Sequence, residues 1–204
     1  MPVTKIKICG LKTIEDIEAL NRWKPDFAGF VFAPGKRQIT SGQAAELRRA
    51  LDPRIQAVGV FVNTPLEEAA ALAEAEVIQY IQLHGDEDAA YMEALRKQTD
   101  KPLIKAVAAR SREEILEAEK LPCEYLLLDA YKKGSPGGNG ETFDWKIIPP
   151  LEKPWFLAGG LSPENVEQAI KICRPFGVDI SSGVEIQGKK SQQRIREFIE
   201  RVRG

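Results

Sequence analysis

Ile55-Gln56-Ala57-Val58-Gly59-Val60-Phe61-Val62-Asn63-Thr64-Pro65-Leu66-Glu67-Glu68-Ala69-Ala70-Ala71-Leu72 holds one full period of this chain's pattern. The Val- and Phe-rich run reads as a strand, and Thr64-Pro65 reads as a helix start. Apolar residues then recur three and four apart, which is the spacing of an amphipathic helix. Working outward, further strands begin near Val3, Asp26, Ile78, Pro102, Tyr125, Pro154 and Gly177, each start 23 to 29 residues from the last. Such a unit has room for a strand, a three-turn helix and two short loops. Helix starts are expected at Thr13, Ser41, Thr64-Pro65, Ser111, Ser162-Pro163 and Ser191. Eight units make a (β/α)8 barrel, an α/β fold of which ~200 residues is the small end of the range. Residues 1–204 are therefore expected to form a single barrel domain. A doubly wound open sheet is the alternative, but it needs no fixed strand count, and the unbroken eight favour closure.

Composition narrows the function classes. With 43% hydrophobic residues, 16 Gly and 13 Pro among 204, the chain is neither disordered nor collagenous. The net charge of −1 argues against a nucleic-acid-binding face. No apolar run approaches the ~20 residues that cross a bilayer, and the opening residues resemble no secretory signal. Three widely spaced cysteines, Cys9, Cys123 and Cys173, suit a reducing compartment, so a cytoplasmic location is expected. The single histidine leaves little for a metal site, and neither metal nor cofactor is expected.

Strand alternation locates a candidate site. In the first strand Ile6 and Ile8 share one face, and Lys7 and Cys9 share the other. If the apolar face meets the helices, Lys7 and Cys9 point into the barrel. The same reasoning turns Gln82 and His84, Leu127 and Asp129, and Asp179 and Ser181 inward. Polar groups from four strands thus reach one rim, where barrel enzymes place their chemistry. Singly, each has a plain structural reading: a buried thiol, a hydrogen-bonded His, an Asp capping a turn. Cys123 and Cys173 are read as packing residues only.

Two glycine-rich turns look like a phosphate cradle: Leu157-Ala158-Gly159-Gly160-Leu161-Ser162-Pro163, and Ser181-Ser182-Gly183-Val184-Glu185. Their backbone N–H groups can approach an anion closely, and barrels frequently bind phosphate after strands seven and eight. The candidate ligands are Gly159, Gly160, Ser181, Ser182 and Gly183, with no obligatory Lys or Arg. Gly183 to Lys190 nearly spells a nucleotide-binding loop, but position 190 lacks the required Ser or Thr. The Gly-rich stretch 131–142 after strand six is expected to be a lid.

Taken together these segments resemble the phosphoribosylanthranilate isomerase family of tryptophan biosynthesis. The resemblance rests on Lys7-Ile8-Cys9-Gly10, Gln82-Leu83-His84-Gly85, Leu128-Asp129, Gly137-Gly138-Asn139-Gly140 with Phe143-Asp144-Trp145, Leu157-Ala158-Gly159-Gly160-Leu161, and Asp179 to Glu185. It spans nearly the whole chain. Two departures stand out: Pro34-Gly35-Lys36-Arg37 replaces an expected Ser-Pro-Arg or Ser-Lys-Arg, and Asn139 stands where Thr is common.

The resemblance implies an Amadori rearrangement of a phosphoribosyl substrate by acid–base catalysis, in a monomer or homodimer that binds neither nucleic acid nor membrane. Cys9 is similar to the family's base, Asp129 to its acid, and Arg37 to the residue that binds the anthranilate carboxylate. Gln82, His84 and Asp179 are expected to meet the substrate. Two expectations follow from the residues themselves: Lys7 should push Cys9 towards thiolate, and the apolar strand should desolvate the Asp129 carboxyl. Three rivals stand beside this reading. The histidine-pathway isomerase carries Asp where Cys9 stands, ribulose-phosphate epimerases need several His, and a non-catalytic sugar-phosphate binder would not need an opposed thiol and carboxyl.

Overall fold

The computed structural model describes residues 3–130 and 145–204. Eight parallel strands close into a barrel in the order β1 to β8, with β1 pairing to both β2 and β8. They are β1 (Lys5–Cys9), β2 (Phe27–Val31), β3 (Gln56–Phe61), β4 (Tyr80–Leu83), β5 (Leu103–Ala109), β6 (Tyr125–Ala130), β7 (Trp155–Leu157) and β8 (Gly177–Ile180). Each begins within two residues of its expected start, and closure excludes the open sheet. Helices α1 (Ile14–Trp23), α2 (Ser41–Ala50), α3 (Leu66–Glu74), α4 (Ala89–Arg96), α5 (Arg112–Glu119), α6 (Val166–Cys173) and α7 (Gln192–Arg203) follow their strands, except after β6. There, among the described residues, the only helical piece is the single turn Trp145–Ile147. A short hairpin, β9 (Glu185–Ile186) and β10 (Lys189–Lys190), is inserted between β8 and α7.

The alternation sorts side chains as expected. Ile6, Ile8, Leu126, Leu128, Val178 and Ile180 are buried in the layer between barrel and helices. Fully burying such a side chain stabilises the fold by about 1.5–3 kcal/mol. The barrel interior has its own cluster, including Phe27, Val58, Ile104, Leu127 and Phe156. At its lower edge Phe27 and Phe156 meet Tyr80, Tyr125 and Phe176, largely edge to face, with centroids 5.2 to 6.0 Å apart. This plugs the lower end and leaves the upper end for chemistry.

Three helix starts differ from expectation. Thr40, one residue before Ser41, caps α2: its hydroxyl accepts from Gln43 N while Gln43 Oε1 accepts from Thr40 N. Thr40 has the extended backbone a cap requires, whereas Ser41 is already helical. At α3 the cap position is Pro65, and no side chain caps it. Before α6, residues 162–165 form a turn, and the helix begins at Val166. Asn165 explains that turn: its Oδ1 accepts from Ser162 N and its Nδ2 donates to Gly160 O. Thr13, Ser111 and Ser191 cap as expected.

Candidate active site

A pocket of about 400 Å³ opens at the C-terminal ends of the strands. Every residue singled out in the sequence as a site candidate lines it: Cys9, Arg37, Gln82, His84, Asp129 and Asp179, together with the cradle residues Gly159, Gly160, Ser181, Ser182 and Gly183. Residues 131–142, expected to form a lid, lie outside the described residues. Val31, Ala33, Val60 and Val62 supply an apolar wall on the β2–β3 side. The glycine turns after β7 and β8 stand on the other side. A ligand spanning this pocket meets hydrocarbon at one end and backbone N–H groups at the other.

Cys9 ends β1 and is 8% exposed. Its thiol sits against Gly29 of β2, where an added Cβ would stand 2.8 Å from Sγ. Only a glycine leaves that space. The expected push towards thiolate is overturned: burial dominates and holds the Cys9 thiol above its ordinary value, although Lys7 and Lys190 pull the other way. Lys7 is fully buried inside the barrel and its ammonium lies 3.0 Å from Asp179 Oδ1. Burial opposes that charge, but Asp179 and Cys9 together outweigh it and raise the Lys7 pKa. Asp179 thus takes much of the cation that the sequence reading assigned to Cys9.

Asp129 stands on β6, three strands from β1 around the closed ring. Its side chain is 36% exposed, so the desolvation expected from the apolar strand is not found. The Leu126 and Leu128 side chains are turned to the helices and do not surround it. His84 Nε2 lies 3.5 Å from Asp129 Oδ2, and Gln82 Nε2 lies 2.8 Å from His84 Nδ1. An amide nitrogen can only donate, so in this arrangement Nδ1 accepts and Nε2 carries the proton that faces Asp129. The tautomer follows from the placement of the Gln82 amide. Gln82 Oε1, buried, has no hydrogen-bond partner among the described residues.

The cradle is built from two touching turns. Gly159 and Gly160 have φ of 83° and 65°, and Gly183 approaches Leu161 so closely that a Cβ there would come 2.0 Å from the carbonyl oxygen. Arg194 Nε donates to Gly183 O and Asn165 Nδ2 to Gly160 O, so both carbonyls are held by partners outside the turns. Among the described residues no hydrogen bond occupies the N–H groups of Gly159, Gly160, Ser182 or Gly183. Such groups suit an anion. Replacing Gly183 by alanine should displace one turn and raise KM for a phosphorylated ligand by about 10², as misplacement on the ångström scale can. An unchanged KM in a folded variant would remove the cradle from the binding site.

Arg37 follows β2 and is paired with Glu185: Nε donates to Oε1 at 2.8 Å and Nη2 to Oε2 at 3.0 Å. Lys190 Nζ donates to the same Oε1 at 3.0 Å and to Ser181 O at 2.8 Å. Burial pushes the Glu185 carboxyl up, but its Arg37 and Lys190 partners prevail and hold it down at about 2. Neither Glu185 nor Lys190 was singled out from the sequence. In the sequence Lys190 stands out only as the residue that spoils a nucleotide-binding loop.

Comparison with known proteins agrees over almost the full length. Residues 6–201 match the family model described as N-(5'phosphoribosyl)anthranilate (PRA) isomerase. The chain is 47% identical over 208 residues to the N-(5'-phosphoribosyl)anthranilate isomerase of Lachnoclostridium phytofermentans, covering 96% of this chain and 95% of that one. Among solved structures, the phosphoribosyl anthranilate isomerase of Thermotoga maritima superposes with a TM-score of 0.88 at 35% identity, covering 98% of each chain. Another isomerase of this kind, solved in complex with reduced 1-(o-carboxyphenylamino)-1-deoxyribulose 5-phosphate, superposes at 0.82 with 33% identity and 98% coverage of each chain.

Proposed function

The chain belongs to the phosphoribosylanthranilate isomerase family of tryptophan biosynthesis, and from that premise we propose how its own residues divide the work. The reaction converts the aminoaldose N-(5'-phosphoribosyl)anthranilate into the aminoketose 1-(2-carboxyphenylamino)-1-deoxyribulose 5-phosphate. It needs an acid to open the ribose ring and a base to remove the C2 proton, giving an enolamine that tautomerises to the ketone.

Asp129 is the acid and Cys9 the base. The observation that carries this assignment is that both line one pocket, from β1 and from β6, three strands apart around the ring. His84 Nε2 stands beside the acid, 3.5 Å from Asp129 Oδ2. The raised thiol pKa leaves little thiolate in the free enzyme, and what there is makes a strong base. Gly159, Gly160, Ser181, Ser182 and Gly183 take the phosphate. Gln82 and Asp179 meet the sugar from the pocket floor, and the apolar wall at Val31, Val60 and Val62 suits the aromatic ring. The three cysteines are unpaired thiols, which fits the reducing cytoplasm where we place the activity.

Turnover of N-(5'-phosphoribosyl)anthranilate by the purified protein, and rescue of a tryptophan auxotroph lacking this step, test the reading together. Failure of both would overturn it. Arg37 binds the anthranilate carboxylate through paired charge-assisted hydrogen bonds. Arg37→Ala should raise KM about 10–100-fold, the loss expected for hydrogen bonds to a charged group, with a smaller change in kcat. An unchanged KM would remove Arg37 from substrate binding.

A further inference from the structure

A guanidinium presents two edges that can each grip a carboxylate, one formed by Nε and a terminal nitrogen, the other by the two terminal nitrogens. In Arg37 the first edge is held by Glu185, through Nε at 2.8 Å and Nη2 at 3.0 Å. Nη1 has no hydrogen-bond partner among the described residues, and Arg37 lines the pocket. Beneath the pair, Lys190 is 3% exposed and its ammonium has three partners: Ser181 O, Ser181 Oγ and Glu185 Oε1. Ser181 Oγ in turn donates to Cys9 O at 3.0 Å. Arg37 is thereby tied through the β9–β10 hairpin to the strand that carries Cys9.

A carboxylate beside an anion-binding site ordinarily repels the anion it adjoins. Here the Glu185 charge is offset by two cations, and the cluster of Arg37, Lys190 and Glu185 keeps a net positive charge. Lys190 cannot itself serve the substrate without giving up one of its partners. Its pKa is pulled down by burial while Glu185 supports the charged form. The remaining free donor edge belongs to Arg37.

We propose that Glu185 is a positioning residue for substrate recognition: it holds one edge of the Arg37 guanidinium so that the other edge meets the anthranilate carboxylate, while Lys190 offsets its charge. The proposal rests on the reading that Arg37 binds that carboxylate. It differs from the opposite possibility, in which Glu185 competes for Arg37 and must be displaced.

The test compares two ligands, reduced 1-(o-carboxyphenylamino)-1-deoxyribulose 5-phosphate and the same molecule lacking the ring carboxyl. Dissociation constants are measured for the wild type, Glu185→Gln, Glu185→Asp and Arg37→Ala. Glu185→Gln should weaken the carboxylated ligand about tenfold and leave the other unchanged, since a neutral amide cannot hold a guanidinium edge in parallel charge-assisted bonds. In turnover the same variant should raise KM with kcat nearly preserved. Glu185→Asp keeps the charge but shortens the reach by one methylene, and its loss should be smaller. Equal affinity of Glu185→Gln and wild type for the carboxylated ligand would overturn the proposal, as would tighter binding, the mark of a competitor. Equal weakening of both ligands would reduce Glu185 to a structural role and overturn it too. Arg37→Ala separates the two levels: if it fails to distinguish the ligands, the assignment of Arg37 itself falls.

Discussion

Cys9→Ala lowers kcat by about 10²–10⁴ without unfolding the protein, the usual loss when a positioned acid or base is removed. The side chain lost is small, and its surroundings are the Gly29 backbone and the polar Lys7–Asp179 pair, so little packing depends on it. Binding of the reduced product should survive, because the phosphate cradle and Arg37 are untouched. Cys9→Ser should also be slow: a serine hydroxyl keeps the geometry but is far less acidic than a thiol. If Cys9→Ala retains near-normal turnover, Cys9 only packs against Gly29, and the base must be sought at Asp179.

Asp129→Asn should produce a loss of the same order, about 10²–10⁴ in kcat, by a different route. The amide has nearly the same shape but no acidic proton for the ring oxygen. Its exposure argues against a large structural penalty, so thermal unfolding should change little. Binding of the reduced product should stay within a few-fold of the wild type. Retained kcat in this variant would move the acid to His84, the titratable group 3.5 Å from Asp129.

The fold was readable because closure imposes a count. Each of the eight strands starts within two residues of a position marked by its apolar run, and β-alternation correctly turned Lys7, Cys9, Gln82, His84, Asp129, Asp179 and Ser181 inward. The unit after β6 breaks the regularity: among the described residues a single helical turn, Trp145–Ile147, stands between β6 and β7. Thr40 was passed over for Ser41 because both are good caps, and only the backbone angles decide between them. Asn165 was missed because its two hydrogen bonds close a loop that sequence periodicity does not register.

Electrostatics was the least legible layer. Lys7 two residues before Cys9 suggested an activating cation, and its inward direction was right. Burial of both groups and the reach of Asp179 across from β8 are tertiary facts, and they reverse the result. Similarly, the three leucines around Asp129 implied desolvation, but Leu126 and Leu128 point away from it and its side chain is 36% exposed. Glu185 and Lys190 sit on strands of two residues each, too short for any period, and Glu185 meets Arg37 only because the chain folds a hairpin between β8 and α7.

Kinetic isotope effects distinguish the two roles, because ring opening and C2 proton removal are separate steps. The measurement is the effect of deuterium at C2 of the substrate on kcat, compared in Cys9→Ser and Asp129→Asn. With Cys9 as base, Cys9→Ser makes proton removal rate-limiting and should show a full primary isotope effect. With Asp129 as acid, Asp129→Asn makes ring opening limiting, and its isotope effect should fall close to unity. The reverse pattern, a full effect in Asp129→Asn and none in Cys9→Ser, would contradict the assignment and exchange the two roles.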